Sequence, residues 1–279
     1  MKISLKTIRM KLIVYFTVLF AVLCGVMASS TYYQSKAALL EEAGLGLQGV
    51  AVGTAELIET RLDNVLDGLE IVAGRNIIKG YWGNGASTWE QKLEILKEET
   101  ERRGYMFMAL ADTKGLAVST TGKETDIKDR EYFQKALAGQ RAVSEPLLNK
   151  ENNSLSMVFA VPVRDKENKI NSVLIGVMDA KKFNEDVTEG IEYGKGGYAF
   201  LLNSKGVYIA HPEAGLVFKQ ENFIEKAKNS NRALTADLMN KEQGFGRYTF
   251  EGKEYFLGFV RVHKTGFIAA VTVPLNEVL

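Results

Sequence analysis

The stretch KDREYFQKALAG, residues 128 to 139, sets a cation beside two aromatic rings in the first turn of a predicted helix. Tyr132, Phe133, Ala136 and Leu137 recur at helical spacing and define a buried face. Asp129 suits the N-cap, because its carboxylate can accept backbone N–H groups that no helical carbonyl reaches. Gly139 suits the C-terminal stop. Arg130 precedes Phe133 by three residues and Leu137 by seven, so it runs along the edge of that buried face. A guanidinium in this place has two uses. It pairs with an acid of its own chain, with Asp126, Asp129 and Asp179 as candidates, or it receives an anion from outside. Tyr132 and Phe133 divide in the same way, between core residues and the walls of a site.

Other chemistry is thinly represented. The single cysteine, Cys24, lies in an apolar run, and His211 and His263 are the only histidines. That leaves no disulfide framework, no paired-cysteine metal knuckle and no zinc set. No nucleophile elbow, HExxH helix or phosphate loop is present, and GKGG at 194 to 197 has the wrong spacing for a phosphate loop. Its glycines suit a turn that opens a strand, and His211 before Pro212 suits a structural place. The expectation is a protein that is not an enzyme and has neither cofactor nor metal.

The elements that must position Arg130 begin with LIVYFTVLFAVLCGVMA, seventeen uncharged residues from 12 to 28. This length is at the short end of a membrane-spanning helix, and Ser29 to Tyr33 could extend it. The first eleven residues carry +4 (Lys2, Lys6, Arg9 and Lys11) and the rest of the chain −3. Cations before the apolar run keep the N-terminus in the cytoplasm and send the body of the chain outside. Val26 and Ala28 have signal-peptidase spacing, but the apolar run exceeds a usual signal core, which favours an uncleaved anchor. The mildly acidic body argues against nucleic-acid binding.

From Thr31 to Ala73 no proline intervenes, and Ile58, Leu62, Val65, Leu69 and Val72 form a 4-3-4-3 seam on one long helix. Beyond it the chain repeats. MALADTKGLAVST (108 to 120) and FLLNSKGVYIAH (200 to 211) share a strand, an Asp or Asn, a Thr or Ser, then Lys-Gly and a second strand. Gly115 and Gly206 hold matching turn positions. Each copy continues through helical or irregular sequence into two or three more strands, SLSMVFAVPVRD and INSVLIGVMD in the first. Two tandem modules of this kind give an α+β fold with antiparallel sheets.

A basic start, one anchor, a long helix and two such PAS-like modules resemble the double Cache (dCache) sensor region of bacterial transmembrane receptors, chemoreceptors above all. The resemblance is carried by DREYFQKALAG, VFAVPVRD, LIGVMDA, GYAFLLNSKGVYIAHP and AAVTVP, over roughly residues 10 to 279. It implies a cytoplasmic start at 1–11, a transmembrane helix at 12–30 and a stalk helix at 31–74. A membrane-distal module at 75–190 and a membrane-proximal one at 191–279 would come next. It also implies a homodimer in the cytoplasmic membrane, its sensor region extracytoplasmic, with a second membrane helix after VPLNEVL. The same region can head a histidine kinase or a diguanylate cyclase. An exported protein-binding or adhesion domain is the alternative outside sensing.

In the amino-acid-binding branch of that family, an Arg, one residue of any type and two aromatics open a helix of the distal module. Arg130, Tyr132 and Phe133 match that spacing, and Asp179 in GVMDA matches the strand-end acid that receives a ligand's amino group. A guanidinium suits a carboxylate and a carboxylate suits an ammonium, so a zwitterion would have both charges matched. Asp112 and Thr121 are further candidates for the site, although Asp112 also suits its own turn. The branch carries a Tyr and an Asp on the next strand, where this chain has Leu147 and Asn149, with Glu145 as a possible substitute for the acid. The expected ligand is a small amino acid or a carboxylate metabolite.

Overall fold

A computed structural model describes residues 8–83, 85–148, 154–188 and 192–277. The chain opens with one helix of 66 residues, α1 (Ile8–Ala73). Its N-terminal part is long and apolar enough to cross a membrane, and none of that part is buried. The remainder of α1 carries the expected seam. Leu47, Ala51, Ile58, Leu62, Leu69 and Val72 are all buried, with Val65 packed at the margin.

After α1 come α2 (Asn76–Lys79), a small ribbon of β1 (Tyr81–Trp82) and β2 (Gly85–Ala86), and α3 (Trp89–Arg103). Thr88 and Gln91 form a capping box at the start of α3, which satisfies two otherwise orphaned N–H groups. The first main sheet contains β3 (Phe107–Asp112), β4 (Leu116–Ser119) and β5 (Glu124–Asp126). Then α4 (Glu131–Leu137) crosses over it to β6 (Ala142–Val143), β7 (Leu147–Leu148), β8 (Leu155–Arg164) and β9 (Ile170–Asp179). The strand order is β5-β4-β3-β9-β8-β6, with β7 also paired to β8, and every pairing is antiparallel.

Helix α5 (Ala180–Thr188) leads into the second sheet, which uses β10 (Glu192–Tyr193), β11 (Gly197–Leu202) and β12 (Tyr208–Ala210). Three short helices come next, α6 (Ala214–Phe218), α7 (Phe223–Ala227) and α8 (Arg232–Asn240), then β13 (Gln243–Phe250), β14 (Lys253–Arg261) and β15 (Ile268–Pro274). Here the order is β10-β11-β15-β14-β13, again antiparallel. The repeat inferred from the sequence is repeated in atomic detail. Asp112 Oδ1 accepts the N–H groups of Lys114 and Leu116 at 3.0 and 2.9 Å, and Asn203 Oδ1 accepts those of Lys205 and Val207, both at 2.9 Å. Gly115 and Gly206 adopt φ +95° and +83°, a conformation that only glycine takes without strain.

Both sheets turn one face to α1. Strand residues of the first sheet (Met108, Met157, Phe159, Leu174) and of the second (Leu201, Phe256, Val271) join the α1 seam in one continuous core. The helix comes closest to the second sheet at Gly258, where an added Cβ would lie 2.5 Å from the backbone of Leu47. A side chain there would push the helix off the sheet. We therefore expect Gly258→Ala to destabilise the protein by about 1–3 kcal/mol in urea unfolding. Gly53 of the same helix has nothing within 4 Å of an added Cβ, and Gly53→Ala should stabilise by about 0.5–1 kcal/mol. Equal effects of the two substitutions would show that contact with the sheet does not set the cost.

Candidate ligand-binding site

Alternation along the strands gives the first sheet two unlike faces. Towards α1 lie Met108, Leu155, Met157, Phe159, Leu174 and Met178, all large. The opposite face carries Ala109, Ala111, Ala117, Ala142 and Ala160 between Val158, Val173, Ile175 and Val177. Helix α4 lies across this second face and plants Phe133 and Ala136 in it, both almost fully buried. On this face small alanines alternate with β-branched residues, and Phe133 and Ala136 of α4 close over them.

The start of α4 differs from the expected cap. Arg130, not Asp129, occupies the N-cap position, at φ −80° and ψ 130°, and no side chain caps the helix. A turn closed by Arg130 N–H on Ile127 O at 2.9 Å makes the Arg130 carbonyl the first acceptor of the helical ladder, for Phe133 and Gln134. Asp129 comes one residue too early to reach those N–H groups. At the other end, Gly139 adopts φ +89° and its N–H bonds Ala136 O at 2.9 Å, as a C-terminal stop should.

Among the described residues, no ion pair or side-chain hydrogen bond involves Arg130, whose side chain is exposed. Its candidate internal partners are engaged elsewhere or stand alone. Asp126 accepts the N–H of Lys128 at 3.0 Å and lies 3.7 Å from the Lys128 ammonium. Asp179 Oδ1 accepts the N–H of Lys181 at 2.8 Å, which caps the first turn of α5. Tyr132 is half-buried beside Arg130. Burial pushes its phenol pKa up, and the positive charge of Arg130 opposes that rise.

Asp179 continues the Val173, Ile175, Val177 row and so belongs to the alanine face, with Ser156 as its cross-strand neighbour. It lies at the end of β9 that adjoins the β4–β5 turn, because Phe107 pairs with Val177 and Met108 N–H bonds Thr120 Oγ1. The segment leading to Arg130 starts from the opposite end, where Ile127 N–H bonds Gly115 O in the β3–β4 hairpin. The cation and the carboxylate thus approach one apolar floor from opposite ends of the sheet.

Of the other expected residues, Thr121 lies in the β4–β5 turn at the Asp179 end, its hydroxyl 2.7 Å from that of Ser119. Asp112 points with Met108 and Leu110 to the other face, and its carboxylate holds the hairpin turn. It therefore stands apart from the floor, and its turn-making use prevails. Leu147 packs half-buried against the core of the alanine face, Glu145 is exposed, and Asn149 falls outside the described residues. Sequence reasoning missed Ser119 and Ser156, both buried on this face. Their alternation with Ala117 and Val158 was the available signal.

The second sheet fills the corresponding side with rings. Tyr198, Phe200, Tyr208, His211, Phe223 and Tyr248 pack with centroids 5.0 to 6.3 Å apart. His211 has the structural place expected for it. Its Nδ1 accepts the Glu213 N–H at 2.9 Å, and Asn184 Oδ1 accepts its backbone N–H at 2.6 Å. No group of three or more His, Cys, Asp or Glu suited to a metal ion occurs among the described residues.

The family model for the Cache domain, dCache_1, matches residues 35–279. The methyl-accepting chemotaxis protein TlpB of Bacillus subtilis is 25% identical over 266 residues, which are 91% of this chain and 37% of TlpB. PscA of Pseudomonas syringae, another methyl-accepting chemotaxis protein, is 24% identical over 198 residues, with 68% of this chain and 30% of PscA covered. The chain thus spans about a third of the length of these relatives. Among solved structures, the ligand-binding domain of the Pseudomonas aeruginosa amino acid chemoreceptor PctB, in complex with L-Arg, superposes with a TM-score of 0.67 at 18% identity. The match covers 85% of this chain and 97% of that one. The ligand-binding domain of the Pseudomonas fluorescens chemoreceptor CtaA, in complex with L-isoleucine, gives 0.69 at 16%, covering 88% and 98%.

Burial lowers the His211 pKa from 6.5 to about 4. The folded state therefore excludes a proton that the unfolded chain accepts. This contribution to stability is complete above pH 6.5 and is lost as pH falls towards 4, by up to about 3 kcal/mol. Urea unfolding between pH 7 and pH 4 should show that loss in the parent protein and a shallower slope in His211→Asn. Parallel slopes would mean that other groups govern the acid response.

Proposed function

Because the chain belongs to the dCache_1 Cache-domain family, we propose that it is the extracytoplasmic sensor region of a transmembrane chemoreceptor and that its first sheet binds a small α-amino acid. One observation carries this reading: an exposed guanidinium with no partner among the described residues, at the head of the helix that covers an alanine floor. The guanidinium offers paired N–H donors to a carboxylate. Tyr132 and Phe133 supply apolar walls that shed water and strengthen that contact. Asp179 offers a negative charge to the ammonium group, and one α-amino acid meets both groups when α4 and β9 draw together across the floor. Thr121 and Ser119 add hydroxyls at the Asp179 end. The ligands named for PctB and CtaA are amino acids, which supports this choice over a plain carboxylate.

In this reading the anchor is the exposed apolar start of α1, which continues without a break into the helix that lines both sheets. Bound ligand can shift a receptor only if it favours one of two arrangements. A ligand that draws α4 and β9 together across the floor would do so.

The test is calorimetric titration and thermal shift with L-isoleucine, L-serine, L-arginine, acetate and succinate. A bound amino acid at a hundred times its Kd should stabilise the protein by about 2.7 kcal/mol. Arg130→Ala should weaken every ligand that binds by roughly 10- to 100-fold. Asp179→Asn keeps the cap on α5 and should weaken amino acids while sparing plain carboxylates. If Asp179→Asn leaves amino acid binding unchanged, the ammonium is not held there. If no compound binds, the sensing proposal fails.

A further inference from the structure

The segment after α4 does more than return the chain to the sheet. Arg141, between α4 and β6, reaches α1, where its Nη2 lies 2.8 Å from Asp63 Oδ1. Its Nη1 contacts Asp67 and lies 3.4 Å from Glu70. Asp63 also receives the ammonium of Lys264 on its other oxygen, and Lys264 belongs to the β14–β15 hairpin of the second sheet. One carboxylate of α1 therefore holds a cation from each module. Hydrogen bonding to Lys264 first, and also to Arg141, depresses its pKa against an opposing effect of burial.

One further contact joins the same parts. Gln220, after α6, donates to the carbonyl of Pro146, just before β7, at 3.4 Å. Glu131, in the first turn of α4, pairs with Lys135 at 2.7 Å, and the charge of Lys205 in the β11–β12 hairpin adds a smaller pull. The α4-to-β7 segment thus meets the second module directly at Pro146 and indirectly through Asp63 of α1.

We propose that Asp63 is the junction through which displacement of the α4 segment reaches the second module and the long helix together. Arg141 moves with the C-terminal end of α4, because only three residues separate it from Leu137. A shift of its guanidinium changes the field at Asp63 and so the hold of that carboxylate on Lys264. From Asp63 the helix runs unbroken to the apolar segment, about 60 Å from Asp63 to Gly25 at about 1.5 Å per residue. An isolated exposed pair would be worth little. Here Asp63 and Arg141 are each half-buried, and each has more than one partner, which couples the pairs.

The input to this junction is the site proposed above, but its test needs no ligand, so the two ideas can fail separately. Amide hydrogen exchange is followed in the full chain, in detergent, for two groups of N–H. Thr265 and Gly266 bond Val262 O in the second module's hairpin, and Gly139 and Gln140 bond Ala136 O and Lys135 O behind α4. Arg141→Gln, which removes a residue that does not touch the hairpin, leaves Asp63 to Lys264 alone and should lower exchange at Thr265 and Gly266 about threefold. Lys264→Gln should do the same at Gly139 and Gln140. In an Asp63→Asn background neither substitution should add further change. The junction is refuted if each substitution raises exchange only beside itself, or if the effects add in full to that of Asp63→Asn. Should Asp63→Asn not fold, the two single substitutions decide the matter by themselves.

Discussion

Everything in this structure depends on one helix serving two cores. The seam of α1 covers a face of each antiparallel sheet and joins large side chains of both. An apolar sheet face left to water would cost roughly 25 cal/mol for every Å² exposed, and several large side chains on each sheet are involved. The close approach at Gly258 shows how tightly the arrangement is set, since a single methyl group would meet the helix backbone. Because α1 takes one face of the first sheet, the other face is left to short elements: α4 and the segments on either side of it.

That division of labour has a chemical consequence. A face that supports the fold fills with Met, Phe and Leu. The face under α4 carries alanines, serines and the strand-end Asp179, and a helix that begins with an exposed guanidinium. By contrast, the buried acid of the same module is fully answered by its own chain. Glu99 is wholly buried and bonded by Arg75 at 2.5 Å and by Arg103 at 2.8 Å, with Arg102 also in contact. Burial and pairing thus coincide at Glu99, which three guanidinium groups of its own chain surround. Arg130 instead is exposed to water and has no ion pair among the described residues.

Much of the architecture was legible because periodicity and turn chemistry are local properties. The 4-3-4-3 seam on α1 and the Asp/Asn–Lys–Gly turns declare themselves within a few residues, and the turns carry the same pair of hydrogen bonds in both modules. The capping of α4 was misjudged because a preference for Asp says nothing about where the preceding turn closes. Arg130, Tyr132, Phe133 and Asp179 could be picked out as candidates. What could not be read was which end of the sheet each would enter from, or that Asp112 and Asp179, both on strands, face opposite sides. Facing depends on register, and register is set across strands distant in the chain. Asp63, Arg141 and Lys264 went unnoticed for the same reason, since no short window contains any two of them.

The two modules share turns and strand order yet differ in what fills the side away from α1. In the second, Phe223 and Tyr248 close on Phe200, Tyr208 and His211, so a ligand entering there would have to displace close-packed rings. Vacating such a site costs several kcal/mol for each large ring displaced, more than a small metabolite can return. Under the proposed function, the differential affinity by which a ligand shifts an equilibrium would come from the first module. A packed second module is suited to a different task. Close-packed interiors transmit strain and do not absorb it, which suits a ring-filled module to the relay proposed above. The modules thus differ in what closes the side away from α1: alanines and β-branched residues under α4 in the first, a cluster of rings in the second.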